Sequence, residues 1–312
     1  MFTHLLIVLN AKKSPDYLVE HSTRLARAIK ARVTIISQMD ISTKPIDPLD
    51  WHIRKIEAEA KLNQMAEQLR DINIETQVII SEKLDTGQLI EFAQADQVDL
   101  ILVSKQVDNI DDMIHALLKQ TNIPILVVPQ SGFLLNDAIV TTCYQKILIP
   151  LDGSQRAECT LPVAAFLAQT CQSQLILAHV VRKPEMPRHS PLTAQEANLT
   201  EQIVESNRAE AVRYLEQVAA RLPGDVSTRL LINDNIPLTI HRLADEETVD
   251  LIVLSAHGYT GEPEWPYGSV TNSLIAYSTR PVLVVQDLPV ANSQPSVEQQ
   301  NIMDRSSEIR RA

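Results

Sequence analysis

Glycine is scarce in this chain, and its placement is uneven. Only seven glycines occur among 312 residues, and three of them, Gly258, Gly261 and Gly268, fall in the segment 255–273, SAHGYTGEPEWPYGSVTNS. The segment follows an apolar run and leads into a stretch of helical character. Because glycine has no Cβ, such a loop lets the backbone approach a ligand, yet the same residue serves in ordinary turns. The sequence therefore leaves a ligand-binding loop and a plain turn as alternatives.

Other features that the chain lacks exclude several classes of protein. The net charge is −11 and no basic run interrupts the segments expected to fold, which argues against a nucleic-acid partner. No apolar stretch approaches the ~20 residues of a membrane span. The first residues, MFTHLLIVLN, have no basic region or cleavage site of a signal peptide. The spacing of the three cysteines matches neither a zinc motif nor a redox pair. We therefore expect a cytoplasmic protein in a reducing compartment, without a membrane span.

Short apolar runs rich in valine, isoleucine and leucine alternate with segments of helical periodicity, such as 52–70. Alternation of strands with helices predicts a parallel sheet with right-handed crossovers. Because the runs are continuously apolar, the strands are expected to be buried on both faces. The first five predicted strands lie at 4–9, 32–37, 75–81, 98–104 and 123–129.

The same order of segments then repeats. VDLILVS returns as VDLIVLS and PILVV as PVLVV, and self-similarity at about 150 residues indicates a duplicated domain. We expect domains at 1–132 and 144–288, followed by a disordered tail at 289–312, which holds few large apolar groups. Three prolines in 182–197 predict a long loop before a helix at 201–222. The second set of predicted strands lies at 146–151, 174–181, 227–233, 249–255 and 280–286.

Polar residues and glycines follow the strands of the second repeat. In a doubly wound sheet, ligands bind beyond the carboxyl ends of the strands where the strand order reverses. Gly258 and Gly268 are able to adopt positive φ, so that backbone N–H groups of the loop could surround an anion. The helix predicted in SVTNSLIAYS would add the unpaired N–H groups of its first turn. Asp152-Gly153-Ser154, taken alone, is equally well explained as a turn in which Ser154 caps a helix.

The motifs KILIPLDGS, LILAHVV and VDLIVLSAHGYTG, followed by GSVTNSLI and RPVLVV, resemble the universal stress protein family across 144–288. In ATP-binding members of that family, the fourth strand leads into Gly, two residues, Gly, nine residues, Gly, and then Ser or Thr. This chain has Ser255, two residues, Gly258, nine residues, Gly268 and Ser269. The spacing is kept, but serine replaces the first glycine.

The resemblance implies a fold of the tandem type. Two doubly wound α/β domains would each carry a five-stranded parallel sheet of order 3-2-1-4-5, of the nucleotide-binding α-hydrolase type. Single domains of this family commonly pair through their last strands. PILVV and PVLVV of one chain could therefore form an internal pseudo-dimer, and a homodimer of the whole chain is a further alternative.

The resemblance also implies a site for ATP, with AMP or ADP as alternatives and Mg²⁺ held through the phosphates. Asp152 and the backbone beside it would accept from the adenine edge, and Val180 would pack on the base. Leu254 and Ser255 would lie under the ribose and first phosphate, while the glycine loop and the start of the next helix would hold the phosphates. The full implied set is Pro150, Leu151, Asp152, Val180, Leu254, Ser255, Gly258, Gly268, Ser269, Val270 and Thr271.

The chain also departs from the pattern of the family. The loop carries Glu262 and Glu264 and no cation, and a carboxylate within ~4 Å of a phosphate costs roughly 1 kcal/mol. In the first repeat, Asn10 stands where Asp152 stands in the second, and KQVDNIDDMIHALLKQ after the fourth strand has no glycine. We therefore expect the first repeat not to bind a nucleotide. For His257, a turn-stabilising role is favoured over a phosphate contact.

Three functions remain open. The first is a stress-response regulatory protein that binds an adenine nucleotide in its second domain. The second is a nucleotide-free scaffold in which the loop is closed. The third is an enzyme of a related nucleotide fold, at most a weak ATPase, because no nucleophile with its base stands out in the sequence.

Overall fold

The computed structural model describes residues 1–10, 16–38, 48–81, 85–105, 110–129, 144–182, 193–259 and 267–287. The predicted tail at 289–312 lies outside these residues, as do Gly261, Glu262 and Glu264. Strands and helices alternate throughout the described ranges, which confirms the predicted α/β class. In chain order the elements are β1 (His4–Asn10), α1 (Asp16–Ile29), β2 (Arg32–Gln38), α2 (Pro48–Asp71), β3 (Thr76–Ser81), α3 (Thr86–Ala95), β4 (Leu100–Ser104), α4 (Ile110–Gln120), β5 (Ile125–Val128), β6 (Lys146–Pro150), α5 (Gln155–Glu158), α6 (Leu161–Cys171), β7 (Gln174–Val181), α7 (Ala194–Arg221), β8 (Val226–Ile232), α8 (Ile236–Glu246), β9 (Leu251–Ser255), α9 (Ser269–Tyr277) and β10 (Val282–Val285).

All of these strands belong to one sheet, in the order β3-β2-β1-β4-β5-β10-β9-β6-β7-β8. The N-terminal half (β1–β5 with α1–α4) and the C-terminal half (β6–β10 with α5–α9) each have the order 3-2-1-4-5 with parallel neighbours. The halves join where β10 runs antiparallel to β5, with Leu283 opposite Leu126. The last strands of the two repeats therefore pair within one chain.

The inner strands β4, β5, β9 and β10 are buried along their whole length, whereas the edge strands β3 and β8 are only partly buried. Along β1, Leu5, Ile7 and Leu9 pack into one core cluster while Leu6 and Val8 pack into another. Because successive side chains of a strand point to opposite faces, these are the two layers between sheet and helices. The prediction of burial on both faces is thus confirmed for the inner strands and wrong for β3 and β8, because each of these has a neighbouring strand on one side only.

The repetition extends to individual hydrogen bonds. The Asp99 carboxylate accepts from the backbone N–H of His4, the first residue of β1, at 3.0 Å. The Asp250 carboxylate accepts in the same way from Lys146, the first residue of β6, at 2.9 Å. These aspartates occupy the second position of VDLILVS and VDLIVLS, so the repeated motif joins the equivalent strand of each half.

The turns that follow the helices repeat as well. In each half, one residue with left-handed backbone follows the first, second and third main helix, where a helix end commonly adopts this conformation. The pairs are Lys30 and Gln172 (φ 57° and 57°), Asn73 and Gly224 (63° and 92°), and Gln97 and Thr248 (52° and 53°). The equivalent chain paths support a duplication of one unit.

The two halves also pack against each other on the side of the sheet that carries α1 and α6. The rings of Phe2 and Phe166 meet edge to face with centroids 5.7 Å apart. His21 of α1 lies 2.8 Å from the hydroxyl of Tyr144, which immediately precedes β6. Both His21 and Tyr144 are buried, so the contact is part of the core.

The boundary of one predicted helix needs correction. Helix α7 begins at Ala194, where 201 was predicted, because Thr193 and Glu196 form a capping box that starts the helix earlier. Cys171 is disulfide-bonded whereas Cys159 is free. Among the described helices, none has the length and apolar content required to span a bilayer.

Candidate functional site

The carboxyl ends of β6, β7 and β9 meet at one edge of the C-terminal half. Strand β6 pairs with β7 on one side and with β9 on the other, which makes it the point where the strand order reverses. Pro150 ends β6, and the buried Leu151 donates its N–H to Ala178 of β7 at 2.8 Å. Val180 lies near the end of β7, opposite Leu231 of β8. The structure thus brings the ends of the predicted motifs to one place.

Helix α9 begins at this edge without a capping side chain. Its N-cap residue is Gly268, with φ −76° and ψ 168°, and the first bond of the helix runs from Asn272 N to the Gly268 carbonyl at 2.9 Å. The N–H groups of Ser269, Val270 and Thr271 precede that first bond and have no acceptor within the helix. Together with the helix dipole, such groups form a site for an anion.

The two described glycines of the loop lie beside each other. Gly268 donates its N–H to the Ala256 carbonyl at 2.8 Å, and a Cβ on Gly268 would lie 3.9 Å from the nitrogen of Gly258. A Cβ on Gly258 would lie only 2.4 Å from a carboxylate oxygen of Asp152. The absence of a side chain at Gly258 therefore allows the loop after β9 to approach the end of β6.

Neither Gly258 nor Gly268 adopts the positive φ that is available to glycine. Gly268 has extended backbone, and among the described glycines positive φ belongs to Gly153 and Gly224, at 84° and 92°. The loop needs close approach of the backbone at Gly258, which depends on the missing Cβ rather than on left-handed geometry.

Asp152 links the two loops of the edge. One of its carboxylate oxygens accepts from the N–H and the hydroxyl of Ser154, at 3.0 and 2.6 Å, and the other accepts from the N–H of Tyr259 at 2.6 Å. The Ser154 hydroxyl in turn accepts from Ala157 N at 3.1 Å, so Ser154 is the N-cap of α5. The capping interpretation of this motif is confirmed.

The hydroxyl groups of two predicted site residues are engaged inside the loop. Ser255, which is buried, donates to the carbonyl of His257 at 2.5 Å. The buried Thr271 donates to the carbonyl of Ser255 at 2.9 Å. Leu254 lies below them in the core. The side chain of Thr271 therefore fixes α9 to the end of β9.

His257 belongs to a buried polar cluster beneath the loop. Its Nδ1 lies 2.9 Å from one carboxylate oxygen of Asp287, and its backbone N–H donates to the same oxygen at 2.9 Å. The side chains of His257 and Asp287 are 1% and 0% exposed. Arg156 Nε lies 3.8 Å from the other oxygen of Asp287. Burial, followed by the charge of Asp287, raises the pKa of Cys159 to about 12.

This cluster supports the turn-stabilising interpretation of His257. Asp287 itself was missed by sequence reasoning, because it lies beyond the last strand and 30 residues from His257. The residues around Asp287 in the sequence do not identify this role, because Asp287 meets His257 only when β10 pairs with β9 in the sheet.

At the equivalent edge of the N-terminal half, a tyrosine contacts the end of the fourth strand. Ser104 ends β4 as Ser255 ends β9, and its hydroxyl lies 2.5 Å from that of Tyr17 in α1. Burial raises the pKa of the Tyr17 phenol. The Tyr17 side chain thus reaches the region where the resemblance places the ribose and first phosphate in the other half. In neither half do the described residues include a group of three or more His, Cys, Asp or Glu placed to hold a metal ion.

The fold and this edge together define a class: doubly wound α/β proteins with a glycine loop at the N-terminus of a helix. The sequence profile of the universal stress protein family matches residues 144–286. A universal stress protein of Methanocaldococcus jannaschii is 31% identical over 159 residues, covering 47% of this chain and 98% of the relative. One of Bacillus subtilis is 27% identical over 147 residues, with 46% and 99% covered. The chain belongs to the universal stress protein family.

A comparison of structures extends the likeness to both halves. A universal stress protein of Archaeoglobus fulgidus superposes with a TM-score of 0.59 at 14% identity, covering 90% of this chain and 96% of the other. At this identity the likeness shows the fold alone. It nevertheless includes the N-terminal half, which the family profile does not match.

Proposed function

We propose that the C-terminal domain, 144–288, binds an adenine nucleotide, and that the protein is a stress-response regulator whose state depends on this ligand. ATP is the first candidate, with AMP or ADP as alternatives. The observation that carries the proposal is the uncapped N-terminus of α9 beside Gly258, at the reversal point of the sheet. An anion is the ligand that such a helix end favours.

The residues present fit a nucleotide at this edge. The N–H groups of Ser269, Val270 and Thr271 would hold phosphates, and Gly258 and Gly268 leave room for them. A divalent cation would neutralise charge on the phosphates and would be held mainly by the phosphates themselves. On the base side we assign Asp152 and Val180, with Pro150, Leu151, Leu254 and Ser255 forming the floor between base and phosphates.

The first domain, 1–132, is proposed as a partner that binds no nucleotide. Tyr17 supports this assignment, because its hydroxyl contacts Ser104, the residue equivalent to Ser255 of the proposed site. Pairing of β5 with β10 gives the chain the arrangement of an internal dimer. We propose no efficient catalysis, and slow ATP hydrolysis is the most that the site would support.

A nucleotide-free scaffold is the second candidate, and one observation favours it. Both carboxylate oxygens of Asp152 already accept hydrogen bonds, from Ser154 and Tyr259, so binding a base would have to share or replace one of them. A carboxylate oxygen is able to accept more than one bond, which keeps the nucleotide proposal first.

The first test is mass spectrometry of small molecules released from the denatured protein, combined with calorimetric titration of ATP with and without Mg²⁺. Recovery of about one nucleotide per chain would support a single binding site, as expected if the C-terminal domain alone binds the ligand. Neither released nucleotide nor heat would overturn the proposal in favour of the scaffold.

The variant Gly268→Asp tests the site itself. Its backbone, at φ −76° and ψ 168°, suits a capping residue, so aspartate would cap α9 and put its own carboxylate where a phosphate would bind. We expect unchanged or slightly raised stability and at least about tenfold weaker ATP binding, because two nearby anions repel. Gly268→Asn, a neutral cap, is the matched control and should lose less affinity. Equal ATP affinity in Gly268→Asp and the unmodified protein would exclude this helix end as the phosphate site.

A further inference from the structure

The far end of α9 is held by the N-terminal half. Lys105 directly follows β4 and donates from Nζ to the carbonyl of Ser278, the C-cap residue of α9, at 2.9 Å. Ser278 is buried, so the ammonium group meets the helix end in a partly dry environment. A cation at a helix C-terminus complements the negative end of the helix dipole.

The beginning of α9 is contacted from the same half. Tyr267 precedes the N-cap residue Gly268, and its ring meets that of His115 in α4 edge to face. The ring centroids are 6.3 Å apart and the planes cross at 86°. Edge-to-face packing at this distance is one of the two arrangements that aromatic rings prefer.

A third contact connects α4 to the loop below the proposed phosphate site. Gln286 donates its side-chain amide to the carbonyl of Leu118 in α4. The next residue, Asp287, holds both the backbone N–H and the ring of His257 at the start of the glycine loop. The N-terminal half therefore contacts both flanks of α9 and the strand end beside it.

We propose that the N-terminal half sets the nucleotide affinity of the C-terminal half by fixing the position of α9, with Lys105 and His115 as positioning residues. The proposal rests on nucleotide binding at the N-terminus of α9. Phosphate contacts at that site depend on the position of the first-turn N–H groups of α9 relative to Gly258. The N-terminal half influences this position because it contacts α9 near both ends. Lys105 occupies the position equivalent to Ala256, since Ser104 and Ser255 end the equivalent strands. The C-terminal half begins its glycine loop at this position. The N-terminal half instead carries Lys105, which contacts the C-terminal half at Ser278.

The test is calorimetric titration of ATP with Mg²⁺ into four full-length proteins: unmodified, Lys105→Met, Lys105→Arg and Lys119→Met. Lys119 is an exposed lysine of α4 and provides the matched control. We expect Lys105→Met to bind about tenfold more weakly, a typical size for coupling between sites. Lys119→Met should bind like the unmodified protein, and Lys105→Arg should recover most of the affinity because a guanidinium still donates to Ser278. His115→Ala should weaken binding, and His115→Phe should retain it.

Hydrogen exchange in the unmodified protein provides a measurement that does not depend on the folding of any variant. Because coupling is reciprocal, ATP should slow amide exchange in α4, while α2 on the other side of the sheet should be unaffected. If ATP binds but neither the Lys105→Met affinity nor exchange in α4 changes, the positioning role is wrong while the proposed function stands. If the unmodified protein binds no nucleotide, the proposed function fails and the positioning role fails with it.

Discussion

The backbone N–H of Tyr259 donates to the carboxylate of Asp152 at 2.6 Å, across 107 residues of sequence. This bond joins the end of β6 to the loop after β9 and passes directly beside Gly258. The residue that the family resemblance assigns to the adenine base therefore also holds the edge of the site together. Changes at this carboxylate are expected to affect ligand binding and loop position together.

Asp152→Asn should weaken ATP binding about tenfold while leaving the fold intact. Asparagine has the shape of aspartate, but one of its two acceptor oxygens becomes an amide donor, so it is unable to serve both Ser154 and Tyr259 as the carboxylate does. Titration calorimetry measures the loss, and Asp71→Asn at the exposed end of α2 is the control. Unchanged affinity would limit Asp152 to a structural role.

Gly258→Ala should lower the free energy of unfolding by about 1–2 kcal/mol, because its Cβ would displace the Asp152 carboxylate from the N–H of Tyr259. Urea unfolding of Gly258→Ala, Asp152→Ala and the double variant forms a double-mutant cycle. The cost of Gly258→Ala should largely disappear once Asp152 is alanine. An equal cost in both backgrounds would show that the carboxylate is not what excludes the side chain.

Asp287→Ala should destabilise the protein by about 3–5 kcal/mol, because it removes the buried partner of His257 and of nearby Arg156. Glu205→Ala is the comparison, since Glu205 pairs with Arg208 on the exposed surface of α7 and should contribute no more than about 0.5 kcal/mol. Urea denaturation compares the two. Similar small losses would argue against a stabilising role for the His257–Asp287 pair.

Stability should fall on acidification because of His21. Burial, with a smaller contribution from the charge of Arg24, lowers the pKa of His21 from 6.5 to about 4. Between these values the unfolded chain binds a proton that the folded protein does not, so stability decreases as the pH falls through this window, by up to about 1.4 kcal/mol per pH unit.

The measurement is urea unfolding at pH 7, 6 and 5 for the unmodified protein and for His21→Gln. Glutamine does not titrate and retains a group able to bond the Tyr144 hydroxyl. The variant should lose less stability than the unmodified protein between pH 7 and 5. The same loss in both would assign the acid sensitivity to other groups.

Much of the fold was predictable because its signals are local. Every described strand coincides with a predicted apolar run to within about two residues. For the inner strands the reason is burial on both faces, which requires apolar residues throughout. The duplication was visible in VDLILVS and VDLIVLS, and both aspartates prove to have the same hydrogen-bonding role. The start of α7 was predicted at 201 because three prolines in 182–197 indicated a long loop. The capping box of Thr193 and Glu196 starts the helix at Ala194 instead.

The sequence by itself determined the α/β class, the two repeats and the spacing that sets Gly258 and Gly268 beside the start of α9. These features depend on the periodicity of apolar residues, on apolar content and on the positions at which glycine stands. Only the tertiary structure decided that Asp287 holds His257, that Tyr259 bonds to Asp152 and that Lys105 reaches Ser278. Those partners lie 30, 107 and 173 residues apart, and their meeting depends on the order of strands in the sheet, which no local pattern encodes.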